Sequence, residues 1–289
     1  RGLGDVYKRQ ESMLSKVRSM ISKARLAGRP AMQYPGNTDA DKCLDIRGIN
    51  DLKDEELERL NALLPWAAFV LDRQGRNFGQ AYSPKKRNDP QAIPDRRIIE
   101  LDRRYGLAGK YVLEAGCFEG IHTVGLLQKG ATVSAFDGRI ENVVKTLVRC
   151  WAFDVYADVF FWNLEEDRPP SASIECDILH HVGVLYHLMD PIGHLATVLP
   201  SVRQAVMLDT HIAPEGKGTQ AESAGFEYRY INFKEAGRTP PFAGLGDHAK
   251  WVALDDLVAF LKHSGFGNVD VAERRDERNG LRVLIYAHR

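Results

Sequence analysis

The chain has 289 residues, of which 44% are hydrophobic, and its 39 Lys and Arg residues balance its 39 Asp and Glu residues. This composition is ample for a packed core, and a net charge of zero argues against a general polyanion binder. No apolar run approaches the roughly 18 residues that a membrane span requires. The four cysteines are scattered, without a CxxC pair or a metal-ligand spacing, which predicts reduced thiols and a cytoplasmic protein.

The first part of the chain predicts a small N-terminal appendage over residues 11–94. Residues 1–10, RGLGDVYKRQ, resemble translated sequencing-adapter read-through, and we expect them to be non-native. Apolar residues recur at helical spacing within 11–27 and 52–64, and FVLDRQGRNFG predicts a hairpin around Gln74-Gly75. The appendage should therefore combine helices with one hairpin.

From Asp95 onwards, strand-like and helix-like segments alternate. Five apolar runs predict strands separated by helices: YVLEAG, ATVSAFD, VYADVFFWNL, CDILHHVGVLY and QAVMLDTHIA. This alternation is typical of a parallel sheet with helices on both faces. Two further strand-like runs flank Asn279-Gly280, a turn that joins antiparallel strands. The predicted fold over residues 95–289 is a Rossmann-like α/β domain with a seven-stranded, mostly parallel sheet and a C-terminal antiparallel hairpin.

Residues 212–250 show no clear periodicity and carry several Gly and Pro residues. Long irregular segments in compact domains often form lids or binding loops, so this segment is predicted to be an insertion that closes over a substrate. Its aromatic side chains would then line a substrate pocket. The alternative is that they only pack the insertion onto the domain.

The stretch YVLEAGCFEG, residues 111–120, predicts a strand that runs into a glycine-lined turn. Open parallel sheets bind ligands at the carboxyl ends of their strands, and glycine lets a ligand approach the backbone closely. Gly116 and Gly120 suit that role. The second strand ends in Asp137, where an acid can accept hydrogen bonds from both hydroxyls of a ribose. A tight turn that holds no ligand is the alternative.

Nicotinamide dinucleotides would use the same elements but a different glycine pattern. Their G-x-G-x-x-G motif needs a middle glycine to make room for pyrophosphate, and Phe118 occupies that position here. The chain also lacks the G-x-x-x-x-G-K-[ST] pattern of a P-loop. Both observations argue against a phosphate-binding turn.

The E-x-G-x-x-x-G turn, the acid after the second strand and the terminal hairpin together resemble the class I S-adenosylmethionine-dependent methyltransferases. The resemblance covers residues 95–289 and implies these cofactor-binding residues: Glu114, Gly116, Cys117, Gly120, Asp137, Asn163 and Leu164. Glu114 would lie near the methionine ammonium group, and the two glycines would give backbone clearance. Asp137 would bind the ribose, and the two residues after the third strand would flank the adenine.

A second stretch, HHVGVLYHLMDPIGHL at 180–195, resembles the tRNA wobble-uridine carboxymethyltransferase family. That family uses carboxy-S-adenosylmethionine, and Tyr186 matches its tyrosine that touches the cofactor carboxylate. Trp66 and Lys85 or Lys86 match the family's tryptophan and lysine only loosely. Neutral net charge gives no support for tRNA binding, which depends on phosphate contacts.

Three residues at the ends of the fourth and fifth strands are candidates for catalysis. His187 follows Tyr186, and a neutral imidazole is a suitable general base; a structural histidine is the alternative. Asp209 and His211 are two residues apart on one face of the fifth strand, so they could act together as a general base or hold a metal. Two ligands are a weak metal signal, and no metal is expected.

These patterns predict a methyltransferase that moves a methyl group from S-adenosylmethionine to an O or N nucleophile. The expected partner is a small molecule or glycan precursor. One alternative is a tRNA wobble-uridine methyl- or carboxymethyltransferase, with tRNA as the partner. The other is a non-catalytic scaffold that keeps the cofactor fold. The sequence makes no prediction of the oligomeric state.

Overall fold

A computed structural model describes residues 42–83, 88–165 and 174–289. The predicted helix over 11–27 and the basic run at 85–87 lie outside these ranges. No helix in the described ranges is long and apolar enough to cross a membrane.

A small N-terminal sheet precedes the main sheet. Its elements are β1 Cys43–Leu44, α1 Arg47–Asn50, α2 Asp54–Leu63, β2 Phe69–Asp72 and β3 Asn77–Gly79. Strand β2 pairs in parallel with β1 and antiparallel with β3. The Asp72 carboxylate closes the turn between β2 and β3, because it accepts hydrogen bonds from the backbone N–H groups of Gln74 (2.9 Å) and Arg76 (2.8 Å). The predicted hairpin is confirmed.

Apart from β9–β11, the remaining described helices and strands follow the predicted alternation. They are α3 Arg96–Tyr105, β4 Tyr111–Ala115, α4 Ile121–Gln128, β5 Thr132–Asp137, α5 Ile140–Ala152, β6 Asp158–Phe161, β7 Cys176–Val182, α6 Pro191–Val198, β8 Val202–His211, β9 Thr219–Ser223, β10 Phe226–Lys234, β11 His248–Val252, α7 Leu254–His263, β12 Asn268–Glu277 and β13 Gly280–His288. Asp95 caps α3 as its side chain accepts a hydrogen bond from the N–H of Arg97.

The main sheet has the order β12-β13-β8-β7-β4-β5-β6. Strands β4 to β8 pair in parallel, and β13 is antiparallel to both of its neighbours. Side chains alternate between two buried clusters, as Val112 and Leu113 show, and helices α3–α5 and α6–α7 cover opposite faces. The predicted mostly parallel, seven-stranded sheet with a C-terminal hairpin is confirmed.

The insertion differs from the prediction. Residues 212–250 were expected to be irregular, but β9, β10 and β11 form a three-stranded antiparallel sheet. The turn between β9 and β10 places Ala224 (φ 50°) and Gly225 (φ 74°) in the left-handed region. Asn or Gly usually occupies the first of these positions, so an alanine there conceals the hairpin from sequence-based prediction.

Candidate active site

A cavity of about 750 Å³ opens at the carboxyl ends of strands β4 to β8, where parallel sheets bind ligands. We call the part of the cavity that is lined by residues within 114–142 and 163–165 the strand-end half. The insertion half is lined by residues within 182–188 and 233–251 and by the C-terminal hairpin. Nine of the eleven predicted site residues line it: Glu114, Gly116, Cys117, Asp137, Asn163, Leu164, Tyr186, His187 and His211. Gly120 and Asp209 do not line it.

The turn after β4 needs glycine at position 116. Gly116 has φ of 71°, and a Cβ atom there would collide with the side chain of Val184. The N–H groups of Gly116 (2.9 Å) and Cys117 (3.0 Å) both donate to the Phe136 carbonyl, which fixes the turn against β5. Phe118 keeps a left-handed backbone with φ of 52°, so the residue at the usual middle-glycine position still follows a glycine-like path.

Gly120 has a packing role that the sequence motif did not predict. A Cβ atom at Gly120 would lie 2.9 Å from the Thr146 Cα atom. The glycine therefore allows the start of α4 to approach α5 closely. Gly120 does not line the cavity, and its assignment as a cofactor contact stays a prediction.

Asp137 presents an oriented carboxylate to the strand-end half. Its two oxygens accept hydrogen bonds from the N–H groups of Arg139 (2.9 Å) and Phe118 (3.0 Å). Burial raises the pKa of Asp137 to about 6, although these two donors act in the opposite direction. A carboxylate oxygen has capacity for a second donor, so the group can still accept hydrogen bonds from a ligand diol.

Glu114 is buried at the other end of the strand-end half. The Thr123 hydroxyl donates to its carboxylate at 2.6 Å, and burial raises the pKa of Glu114 to about 7. The guanidinium of Arg97 lines the same cavity. An acid and a guanidinium in one place suit a zwitterionic amino-acid group.

Glu114, His122 and His180 bring three potential metal ligands within 4.8 Å of one another. Arg97 Nη2 can only donate, so His122 Nε2 accepts (3.2 Å), and His122 Nδ1–H then donates to His180 Nε2 (3.2 Å). Burial lowers the pKa of both histidines. This arrangement uses both nitrogens of His122 and favours a neutral hydrogen-bond chain over a metal site.

Glu119 ties the glycine turn to the N-terminal sheet, and the sequence motif did not reveal this role. Its buried carboxylate accepts hydrogen bonds from the N–H groups of Ala67 (2.7 Å) and Ala68 (3.0 Å) and from Lys145 Nζ (2.9 Å). The buried Arg149 guanidinium lies 4.9 Å from the Trp66 ring centroid and approaches Glu119 to 3.9 Å. Trp66 is thus buried and does not line the cavity.

His187 and Glu235 form a hydrogen-bonded pair in the insertion half. His187 Nδ1–H donates to Glu235 Oε1 at 2.6 Å, and Gly244 N–H donates to the other carboxylate oxygen at 2.8 Å. This tautomer leaves the lone pair of His187 on Nε2, which is the atom that a general base uses. Glu235 belongs to the insertion, and no sequence motif marks it.

An aromatic wall borders this pair. His211 stacks on Trp251 with ring centroids 4.7 Å apart, and Phe233 stacks on Trp251 at 4.3 Å. Tyr186 meets His211 edge to face at 4.7 Å and lies against His187 at 4.1 Å. Burial and the nearby Arg282 lower the pKa of His211, so it belongs to a neutral, apolar wall.

Asp209 anchors three arginines, which differs from the predicted role of a base or metal ligand. It is 0% exposed and forms ion pairs with Arg97 (3.0 Å), Arg275 (2.9 Å) and Arg282. Burial alone would raise the pKa of Asp209, but Arg282 and Arg97 outweigh it and lower the pKa. All three arginines line the cavity, so Asp209 acts on the site through them.

Comparisons with known proteins give short, distant sequence matches. No protein-family model matches the chain. A segment of 133 residues is 31% identical to the tRNA U34 carboxymethyltransferase of Methylococcus capsulatus, and covers 42% of this chain. A segment of 98 residues is 33% identical to the ubiquinone biosynthesis O-methyltransferase of Pseudomonas fluorescens, and covers 33% of this chain. The chain spans 40% of the length of each of these relatives.

The fold matches solved structures more extensively. The N-terminal domain of EvdMO1, crystallised in the presence of SAH and D-fucose, has a TM-score of 0.62 and 21% sequence identity. The match covers 82% of this chain and 97% of that domain. Together with the strand order and the glycine turn, this likeness shows that the chain has the class I S-adenosylmethionine-dependent methyltransferase fold. The predicted resemblance is confirmed, and the likeness to the tRNA enzymes is a distant one.

Proposed function

We propose that the chain is an S-adenosylmethionine-dependent methyltransferase that acts on a hydroxyl group of a small molecule, with sugars and sugar-containing precursors as the first candidates. One observation carries the proposal. The His187–Glu235 pair lines the same cavity as Asp137 and the Gly116 turn. A base and a nucleoside-binding carboxylate therefore share one site.

The residues of the strand-end half fit the cofactor. Asp137 suits the ribose hydroxyls, and Glu114 with Arg97 suits the ammonium and carboxylate groups of a methionine. The Phe118 position argues against a dinucleotide, as the sequence predicts. When bound, S-adenosylmethionine supplies an electrophilic methyl group on its sulfonium.

The insertion half supplies a base and an apolar surround. His187 Nε2 accepts the proton of the acceptor hydroxyl, and the Glu235 carboxylate stabilises the imidazolium that results. The wall of Tyr186, His211 and Trp251 borders the pair with aromatic surface. Such positioning and proton transfer are the main contributions that a protein makes to a displacement reaction.

The relatives that share the fold or a segment support this choice of acceptor class. The EvdMO1 domain was crystallised with D-fucose, and the Pseudomonas relative is an O-methyltransferase. Both point to hydroxyl acceptors on small molecules. The zero net charge of the chain supports a neutral acceptor over a polyanion.

A second candidate is carboxymethyl transfer to a tRNA wobble uridine. The Arg282 guanidinium lies over the Tyr186 ring at 5.2 Å, and Arg97 and Arg275 line the same cavity. Cationic groups next to Tyr186 suit a carboxylate on the transferred group. Because Asp209 already neutralises part of this charge, methyl transfer remains the first proposal.

The test is a transfer assay with two donors. The protein is incubated with S-adenosylmethionine or carboxy-S-adenosylmethionine and with either a hydroxyl panel, in which D-fucose is the first probe, or bulk tRNA. The proposal expects methylated small molecules, identified by mass spectrometry. Carboxymethylation of tRNA alone would replace it with the second candidate. Cofactor binding without transfer to any acceptor would favour the scaffold alternative.

A further inference from the structure

Two loops meet over the cavity. One is the turn at the end of β5, residues 137–139, and the other is the lid loop, residues 236–247, between β10 and β11. The buried Arg139 side chain crosses from the first loop to the second. Its guanidinium donates to four lid-loop carbonyls: Arg238, Gly237 (3.5 Å), Pro240 (3.2 Å) and Ala243 (3.0 Å).

Other contacts hold the first loop in place and join it to the lid loop. The backbone N–H of Arg139 donates to Asp137 Oδ1 at 2.9 Å. In return, Arg238 Nη2 donates to the Gly138 carbonyl at 3.2 Å, and Leu245 Cδ1 lies 2.7 Å from the position that a Cβ on Gly138 would occupy. The lid loop therefore packs directly against the backbone next to Asp137, the proposed ribose-binding acid.

The lid loop continues from these contacts to the base. The Ala243 carbonyl, held by Arg139, immediately precedes Gly244, whose N–H donates to Glu235 at 2.8 Å. A Cβ on Gly244 would lie 2.8 Å from the His187 carbonyl, so the loop has little room to move sideways. The Glu235 carboxylate in turn orients His187.

We propose that Arg139 is a positioning residue that couples the ribose-binding loop to the His187–Glu235 pair through the lid loop. A buried guanidinium needs its hydrogen-bond partners, so the lid-loop conformations that satisfy Arg139 are those that hold Gly244 against Glu235. Occupation of Asp137 by a ribose then steadies Arg139 and, through it, the base. This inference rests on the proposed function and locates the predicted substrate lid at residues 236–247.

The test uses two readouts that do not need turnover. Hydrogen exchange followed by mass spectrometry reports on the lid loop, and ¹⁵N shifts of labelled histidine report which ring nitrogen of His187 carries the proton. Arg139→Met removes every side-chain donor at similar length. We expect lid-loop exchange to rise by about tenfold or more and His187 to become a mixture of tautomers.

Two further variants sharpen the test. Arg139→Lys keeps one ammonium donor and should restore part of the exchange protection and of the Nδ1–H tautomer. Arg274→Met, which removes an exposed arginine on β12 outside the cavity lining, should leave both readouts as in the parent protein. If Arg139→Met leaves lid exchange and the His187 tautomer unchanged, the proposal is wrong.

A ligand experiment covers the case in which Arg139→Met does not fold. S-adenosylhomocysteine should slow lid-loop exchange in the parent protein and slow it less in Arg139→Lys. Binding of this ligand to the parent without any change in lid exchange would overturn the coupling. Absence of binding to the parent would instead count against the proposed function, and the ligand-free comparison of Arg139→Lys with the parent would still test Arg139.

Discussion

The two halves of the cavity are built over very different distances along the chain. In the strand-end half, Phe118 donates to Asp137 across 19 residues, and both follow neighbouring strands of one sheet. In the insertion half, His187 meets Glu235 across 48 residues. The proposed cofactor residues therefore depend on the sheet itself, whereas the proposed base depends on how an insertion folds back.

The largest expected effect tests the insertion half. His187→Ala should slow methyl transfer about 10²–10⁴-fold while cofactor affinity stays close to that of the parent, because the base is lost and the strand-end half is intact. Initial rates with an acceptor found in the hydroxyl panel measure this. His248→Ala is the matched control, since His248 is exposed and lies outside the cavity lining. Equal rates for His187→Ala and the parent would remove His187 from the mechanism.

The next effect tests how the strand-end half is supported. Glu119→Gln removes a buried charge that faces Lys145 and Arg149, so it should lower the free energy of unfolding by about 3–5 kcal/mol. Urea denaturation measures the change, with the exposed Glu58→Gln on α2 as control. A loss no larger than that of the control would mean that the N-terminal sheet does not depend on this carboxylate.

A smaller effect concerns pH. Burial raises the pKa of Glu114 from 4.5 to about 7 and that of Asp137 from 3.8 to about 6. Each protonated acid contributes stability that is fully present below its ordinary pKa. This stability is lost as the pH rises through the raised pKa. A ligand with an ammonium group and a ribose favours the ionised carboxylates.

Stabilisation by S-adenosylhomocysteine should therefore be larger at about pH 7.5 than at about pH 5. The rise in Tm on ligand addition, measured across this range, checks the expectation. The dependence should weaken in Asp137→Asn. A constant rise in Tm in the parent would contradict the assignment of both acids to the ligand.

The smallest effect tests the folding of the insertion. Ala224 occupies a left-handed position in the turn between β9 and β10, so Ala224→Gly should raise the free energy of unfolding by about 0.5–1 kcal/mol. Ala62→Gly, on the exposed face of α2, should lower it by a similar amount. If urea denaturation gives changes in the free energy of unfolding of the same sign for both variants, this turn is not strained.

The halves also differ in how far the sequence predicts them. The strand that ends in EAGCFEG and the strand that ends in Asp137 are local patterns, and adjacent parallel strands bring their ends together. The sheet was therefore predictable, and so was the meeting of Gly116 and Asp137 at one cavity. Gly120 was the exception, because its close contact with Thr146 depends on helix packing that no local pattern encodes.

The insertion half depends on contacts between distant segments. Asp209 lies near the carboxyl end of its strand, a position that suits a catalytic acid. It forms ion pairs with Arg275 and Arg282 of the C-terminal hairpin instead. Glu235 follows a strand that could not be recognised, because Ala224 conceals its hairpin. Sequence identified His187 from its position at a strand end, but not the carboxylate that orients it.

The central claim is that the strand-end half holds an S-adenosyl cofactor through Asp137. Calorimetric titration of S-adenosylmethionine into the parent, Asp137→Asn and the exposed control Asp158→Asn tests it most directly. The account predicts binding of one cofactor to the parent and the control, and a loss of about 1–3 kcal/mol in Asp137→Asn. Binding of NAD in place of S-adenosylmethionine, or equal affinity in Asp137→Asn, would contradict it.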